Sequence, residues 1–119
     1  MPHCIIEATE NIIIGIDKNK LMKDVANAIF LLDCFNPNDI KVRIYPVKHS
    51  FLGIEAQEHS YVTANVQVMD NKTNDQLNLL SDNIQNVLRD HFDEKIGKMS
   101  ITTQVSLLNN DFYKRYKNF

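Results

Sequence analysis

Pro2 stands directly after Met1 and heads the run "HCIIEAT", and its position alone could do chemistry. A proline gives a strand no backbone donor, so a bland reading is a proline tolerated at a strand start. If Met1 is removed, Pro2 carries a free secondary amine instead of an amide, and that amine can act as a base or a nucleophile. A second group lies in "IKVRIY", residues 40–45, where strict alternation puts Ile40, Val42 and Ile44 on one face and Lys41, Arg43 and Tyr45 on the other. One face is apolar and the other cationic, which by itself also describes a solvated strand face. The remaining chemical residues form no such group. Cys4 and Cys34 make no C-x-x-C, and His3, His49, His59 and His91 have no metal-ligand spacing, so no metal is expected. Cys4, inside an apolar strand, is expected in the core, and this cysteine usage suits a reducing compartment.

The elements that must position these residues follow from periodicity. Residues 3–9 read as a short strand. A helix is expected from about Asp17 to Asp33, with Asp17 as N-cap and Leu21, Met22, Val25, Ile29 and Leu32 recurring every three or four residues. Asn36-Pro37 breaks it. After the strand at 40–45, "PVKHSFLGIEAQEHS" has no clear period and is expected to form a hairpin or long loop. Alternation resumes in "YVTANVQV", with Val62, Ala64, Val66 and Val68 inward. Thr73 and Gln76 have the spacing of a capping box, opening a helix with the stripe Leu77, Leu80, Ile84, Val87, Leu88 and Phe92. A last strand, "MSITTQVSLL", places Met99, Ile101, Thr103, Val105 and Leu107 on one face, and "NNDFYKRYKNF" is expected to close the chain as a short helix.

Strand, helix, strand occurs twice. The expected class is α+β: a βαβ-βαβ chain, with two helices on one face of a four-stranded sheet, and right-handed crossovers restrict the topology to a ferredoxin-like arrangement or a βαβ pair with pseudo-twofold halves. The opposite sheet face, with Thr63, Asn65, Gln67, Thr102 and Gln104, is partly polar and compatible with an oligomer.

Composition sets the outer bounds. The 119 residues suit a single domain, 1–119, and 44% hydrophobic with 24% charged residues and a formal charge of −2 describes a globular protein. The thirteen basic residues are dispersed, and their densest group, Lys114, Arg115 and Lys117, reads as a solvated helix face, so no nucleic-acid partner is expected. No apolar run approaches twenty residues, and no cation precedes the apolar start, so neither a membrane span nor a signal peptide is expected and the location reads as cytoplasmic.

Taken together, "PHCIIEATENI", "DKNKLMKDVANAI", "FNPNDIKVR" and "NIQNVLRDHF" resemble the tautomerase superfamily, specifically its 5-carboxymethyl-2-hydroxymuconate isomerase branch. The resemblance runs over almost the whole chain and is weakest between Pro46 and Ser60. Its most specific pieces are Pro2 with His3, then Glu7 and Glu10 to Ile12. It implies a tautomerase-like fold, removal of Met1, and a homotrimer with sites at subunit boundaries. The implied activity is a cofactor-free isomerase, with Pro2 as general base, acting on a small unsaturated 2-hydroxy or 2-oxo carboxylic acid.

Such a substrate develops negative charge on a dienolate oxygen, so cations must hold its acid groups and that oxygen. In the resembled family an arginine stands where this chain has Lys41, another matches Arg43, and a third, in a turn before the second helix, aligns best with Lys72. The implied substrate-binding set is Lys41, Arg43 and Lys72. Lysine keeps the charge but not the planar fork, so this chain departs from the family in how it can grip a carboxylate, and its substrate can differ. Two alternatives stay open: a related proline-dependent decarboxylase or hydratase, in which protonated Pro2 is an acid, and a non-catalytic small-acid-binding trimer.

Overall fold

The computed structural model describes residues 1–55, 60–92 and 97–119. Residues 56–59, near the end of the expected 46–60 loop and including His59, lie outside the described residues.

Chain order is β1 (His3–Thr9), α1 (Glu10–Ile13), α2 (Lys18–Phe30), a 3-10 turn (Pro37–Asp39), β2 (Lys41–Val47), β3 (Ser60–Met69), α3 (Asn74–His91) and β4 (Met99–Leu108). The strands form one sheet in the order β2-β1-β3-β4. β1 runs parallel to β2 and antiparallel to β3, and β3 runs parallel to β4. Each parallel pair is one βαβ unit, and the antiparallel β1/β3 seam joins the two as pseudo-twofold halves. The fold is the α+β arrangement expected.

Alternation sorts the sheet into two faces. Cys4, Ile6 and Ala8 of β1, with Val62, Ala64, Val66 and Val68 of β3, are at most 1% exposed beneath the helices. Leu21, Val25 and Ile29 of α2 and Leu80, Ile84 and Leu88 of α3 close that core. Burying a side chain of this size stabilises the fold by about 1.5–3 kcal/mol relative to leaving it in water, so this layer dominates folding. The opposite face carries Ile5, Thr63, Asn65 and Gln67, which are half-buried, and among the described residues no element covers it as the helices cover the first.

Local chemistry sets the helix starts. The Asp17 carboxylate accepts from the Lys20 N–H at 3.0 Å, as its N-cap role requires. At α3 the capping box closes in both directions: the Gln76 N–H donates to Thr73 Oγ1 at 3.1 Å, and the Thr73 N–H donates to Gln76 Oε1 at 2.9 Å. α2 ends at Phe30, three residues short of the expected Asp33, which turns into the left-handed region at φ 56° and reverses the chain.

Three expectations need correction. The four-residue helix α1 was not legible, because one turn carries no period. Leu107, at the end of the face of β4 expected inward, is 54% exposed. The terminal segment 109–119 is a turn followed by irregular chain, not a helix, and it packs back toward the start of β1. Its cations are therefore not one solvated helix face: Arg115 and Lys117 both bind Asp39.

Candidate functional site

The parallel β1/β2 ladder positions the site. Its register pairs His3 with Lys41, Ile5 with Arg43 and Glu7 with Tyr45, so the cationic side chains of β2 share the uncovered sheet face with His3. One position before the ladder, the Lys41 N–H donates to the Pro2 carbonyl at 3.0 Å. Pro2 itself is fully buried. A residue without a ladder donor is thus fixed through its one remaining backbone group, the carbonyl, at the head of the strand.

Beside it runs a chain of polar contacts. Arg43 Nη1 lies 3.3 Å from His3 Nδ1, and His3 Nε2 lies 3.3 Å from the Tyr113 hydroxyl. His3 also meets the Tyr113 ring edge-on, with centroids 6.5 Å apart. Guanidinium can only donate, so His3 Nδ1 accepts, the proton resides on Nε2, and Nε2 donates to the Tyr113 oxygen. Burial pushes the His3 imidazole below its ordinary pKa, and Lys41, Arg43 and the amino terminus push it further down. His3 is the neutral link that orients Arg43.

The amine in this structure is on Met1, and its surroundings lower its pKa. Burial is the largest cause, Lys41, Arg115 and Lys117 add to it, and Asp39 opposes it by raising the pKa. Asp39 Oδ1 in turn binds Arg115 Nη1 at 3.2 Å and Lys117 Nζ at 3.3 Å. These contacts hold Asp39 below the usual carboxylate range, with the Lys117 hydrogen bond first among the causes.

Of the residues singled out from the sequence, Pro2, Lys41 and Arg43 come together at the head of β1. Lys72 follows β3, whose end runs alongside the start of β1, and its ammonium stacks 5.0 Å from the centre of the Phe35 ring. Sequence reasoning missed Asp39, Tyr113, Arg115 and Lys117. The density of basic residues in the tail marked Arg115 and Lys117 alone, and that signal has the opposite default reading. Cys4 lies in the core, where burial pushes its thiol up to about 12, so it is no nucleophile.

Two shallow grooves lie elsewhere. One is formed by Ser81, Asp82, Gln85 and β4 residues Ile101 to Thr103, and the other by residues between Gly15 and Asp24 together with Asp90 and His91. Neither contains Pro2. Among the described residues there is no cluster of three or more metal-ligating side chains, and no helix long and apolar enough to cross a membrane.

The model of the 5-carboxymethyl-2-hydroxymuconate isomerase family matches residues 2–118. No curated protein matches the chain in sequence. Among solved structures, it is similar to a 5-carboxymethyl-2-hydroxymuconate delta-isomerase at 15% identity and TM-score 0.87, covering 99% of this chain and 89% of that one. It is also similar to a 5-carboxymethyl-2-hydroxymuconate isomerase from Deinococcus radiodurans R1 at 20% identity and TM-score 0.87, covering 98% and 90%. A fused 4-OT wild-type symmetric trimer shares the fold at 10% identity and TM-score 0.71, covering 90% and 85%. At these identities the structural neighbours speak to the fold, whereas the family match spans the chain from Pro2 to within one residue of its end. The chain belongs to the 5-carboxymethyl-2-hydroxymuconate isomerase family, and it is an isomerase of tautomerase-like fold.

Proposed function

We propose that the protein moves a proton within an unsaturated 2-hydroxy or 2-oxo carboxylic acid, with Pro2 as the general base once Met1 has been removed. One observation carries this reading: Pro2 is buried at the head of β1, its carbonyl held by Lys41, where burial first, and then Lys41, Arg115 and Lys117 against the opposing Asp39, lower the pKa of the neighbouring Met1 amine.

Removal of Met1 turns the Pro2 nitrogen into a secondary amine. The same burial and the same cations act on it in the direction that disfavours the ammonium form, which is the direction a general base working near neutral pH needs. Its ring fixes the direction of the lone pair, so little freedom is lost in aiming it. The nitrogen takes the proton from the 2-hydroxyl of a dienol, and the resulting ammonium returns it to a carbon of the conjugated chain, giving the 2-oxo isomer and regenerating the amine. The proton count balances without a cofactor.

Lys41 and Arg43 hold the substrate's carboxylate and stabilise the dienolate oxygen. Lys72, whose ammonium lies 5.0 Å from the centre of the Phe35 ring, is the third proposed cation. A lowered amine pKa favours a base over the proline acid that decarboxylation or hydration requires. Each subunit is proposed to be one domain, residues 1–119, in a homotrimer. The uncovered sheet face, rich in Thr63, Asn65 and Gln67, supplies a surface for neighbouring subunits, and a trimer bears the 4-OT fold cited above.

Mass spectrometry of the protein from its native host tests the first condition, which requires loss of one methionine. The chemical test compares wild type with Pro2→Ala on 2-hydroxymuconate and on phenylenolpyruvate, following deuterium incorporation at carbon. Pro2→Ala is expected to lower turnover by about 10²-fold or more, the usual contribution of a positioned base. Equal rates in the two proteins refute the assignment. Light scattering on the eluting peak of a sizing column tests the trimer.

A further inference from the structure

The segment after β4 returns across the start of β1, and two independent contacts fix it there. Tyr113 meets His3, and Arg115 with Lys117 meets Asp39. Asp39 closes the turn just before β2, two residues from Lys41, whose N–H holds the Pro2 carbonyl. The tail therefore delivers an arginine to the frame of the amino terminus, where Lys41 supplies charge without a planar fork.

We infer that Arg115 is a carboxylate-binding residue of the proline site, carried there by the C-terminal segment and able to exchange its contact with Asp39 for a carboxylate of the substrate. The inference rests on the reading of Pro2 as the reactive group.

Three features support the exchange. The contact with Asp39 engages one guanidinium nitrogen, and the Arg115 side chain is 39% exposed, so its fork can turn without leaving a packed core. Lys117 binds the same Asp39 oxygen, so Asp39 keeps a cationic partner when Arg115 departs. The charges acting on the amino terminus are three cations, Lys41, Arg115 and Lys117, against the single carboxylate of Asp39. That excess suits an acid with a second carboxylate beyond the one held by Lys41 and Arg43.

A matched pair of dienoic acids provides the test: muconate, with two carboxylates, and sorbate, with one. Calorimetry on the full-length protein should show muconate binding more tightly than sorbate. Arg115→Ala should weaken muconate by about tenfold or more, the scale of a charge-assisted hydrogen bond, with a smaller loss for sorbate. Arg115→Lys should recover part of that selectivity. Asp39→Asn should tighten muconate binding by releasing the competing contact, a gain that a merely structural Arg115 would not produce. Equal losses for both acids in Arg115→Ala, no loss for either, or no selectivity in wild type overturns the inference.

If Arg115→Ala does not fold, Arg115→Lys and Asp39→Asn decide the question by the direction of their shifts. Binding also separates this inference from the catalytic one. Arg115-dependent muconate selectivity without turnover leaves Arg115 standing and refutes the isomerase mechanism. Turnover that depends on Pro2, with no selectivity change in Arg115→Ala, does the reverse.

Discussion

Arg43 Nη1 donates to His3 Nδ1 across 3.3 Å, and this contact fixes the protonation state of the residue next to the proposed base. Because Nδ1 must accept, His3 is neutral with its proton on Nε2, in agreement with the downward shift from burial and neighbouring cations. The unfolded chain takes up this proton first as pH falls below the ordinary histidine value of about 6.5. In that window the unfolded state binds more protons, so the His3 contribution favours folding above it and is lost as pH falls toward the lowered folded value. Nitrogen-detected NMR should find the Nε2–H tautomer and a titration below 6.5. His3→Asn should flatten the stability slope in the same window, and a His3 that titrates above 6.5 contradicts the network.

The charges around the amino terminus have opposite signs of effect, which makes the pH dependence of catalysis diagnostic. Asp39 raises the pKa of the Met1 amine and Lys41 lowers it, and the proposed Pro2 amine, one residue on, is expected to feel both with the same signs. The acid limb of the kcat/KM profile follows protonation of the free base. Asp39→Asn is expected to move that limb to lower pH, and Lys41→Met to higher pH, whatever each does to the height of the profile. Shifts in the same direction would place the titrating group away from these two side chains.

The core beneath the sheet makes a prediction independent of the site. Ile84 of α3 and Ile6 of β1 are completely buried in one cluster. Truncating either to alanine removes apolar burial and leaves a cavity, at a cost of about 2–5 kcal/mol. Thr73→Ala, which opens the capping box of α3, should cost about 0.5–2 kcal/mol. Urea denaturation followed by circular dichroism measures both, and the core substitutions should lower the midpoint more than the cap.

Much of this architecture was legible because it rests on short-range pattern. Val62 to Val68 alternate as a strand buried on one face, and Leu80, Ile84 and Leu88 recur as a helix stripe. Thr73 and Gln76 lie three residues apart and find each other without help from the rest of the fold. The proximity of Lys41 and Arg43 to Pro2 follows from the parallel crossover that places β2 beside β1. The tail was not legible for the opposite reason. Tyr113, Arg115 and Lys117 have no period of their own, and their positions depend on His3 and Asp39, more than 70 residues earlier in the chain. Lys72 likewise meets Phe35, a loop residue that no spacing rule connects to it.

The tie between the two long helices supplies a last, acid-dependent prediction. Asp24 of α2 accepts from His91 Nε2 at 2.7 Å and from Lys20 Nζ at 3.0 Å, so one carboxylate joins α2 to the end of α3. These hydrogen bonds, that of His91 first, hold the Asp24 carboxyl below its ordinary value. The ionised form is thus preferred in the folded protein, and its contribution is fully present above the ordinary carboxylate pKa of about 3.9. It fades as pH falls through the lowered folded value, because the unfolded chain is protonated first. Asp24→Asn should lower stability at neutral pH and, against wild type, reduce the slope of stability against pH below about 4. Thermal melts from pH 2.5 to 7 measure both slopes, and an unchanged acid slope in Asp24→Asn would mean that the helix pair is held by its apolar stripe alone.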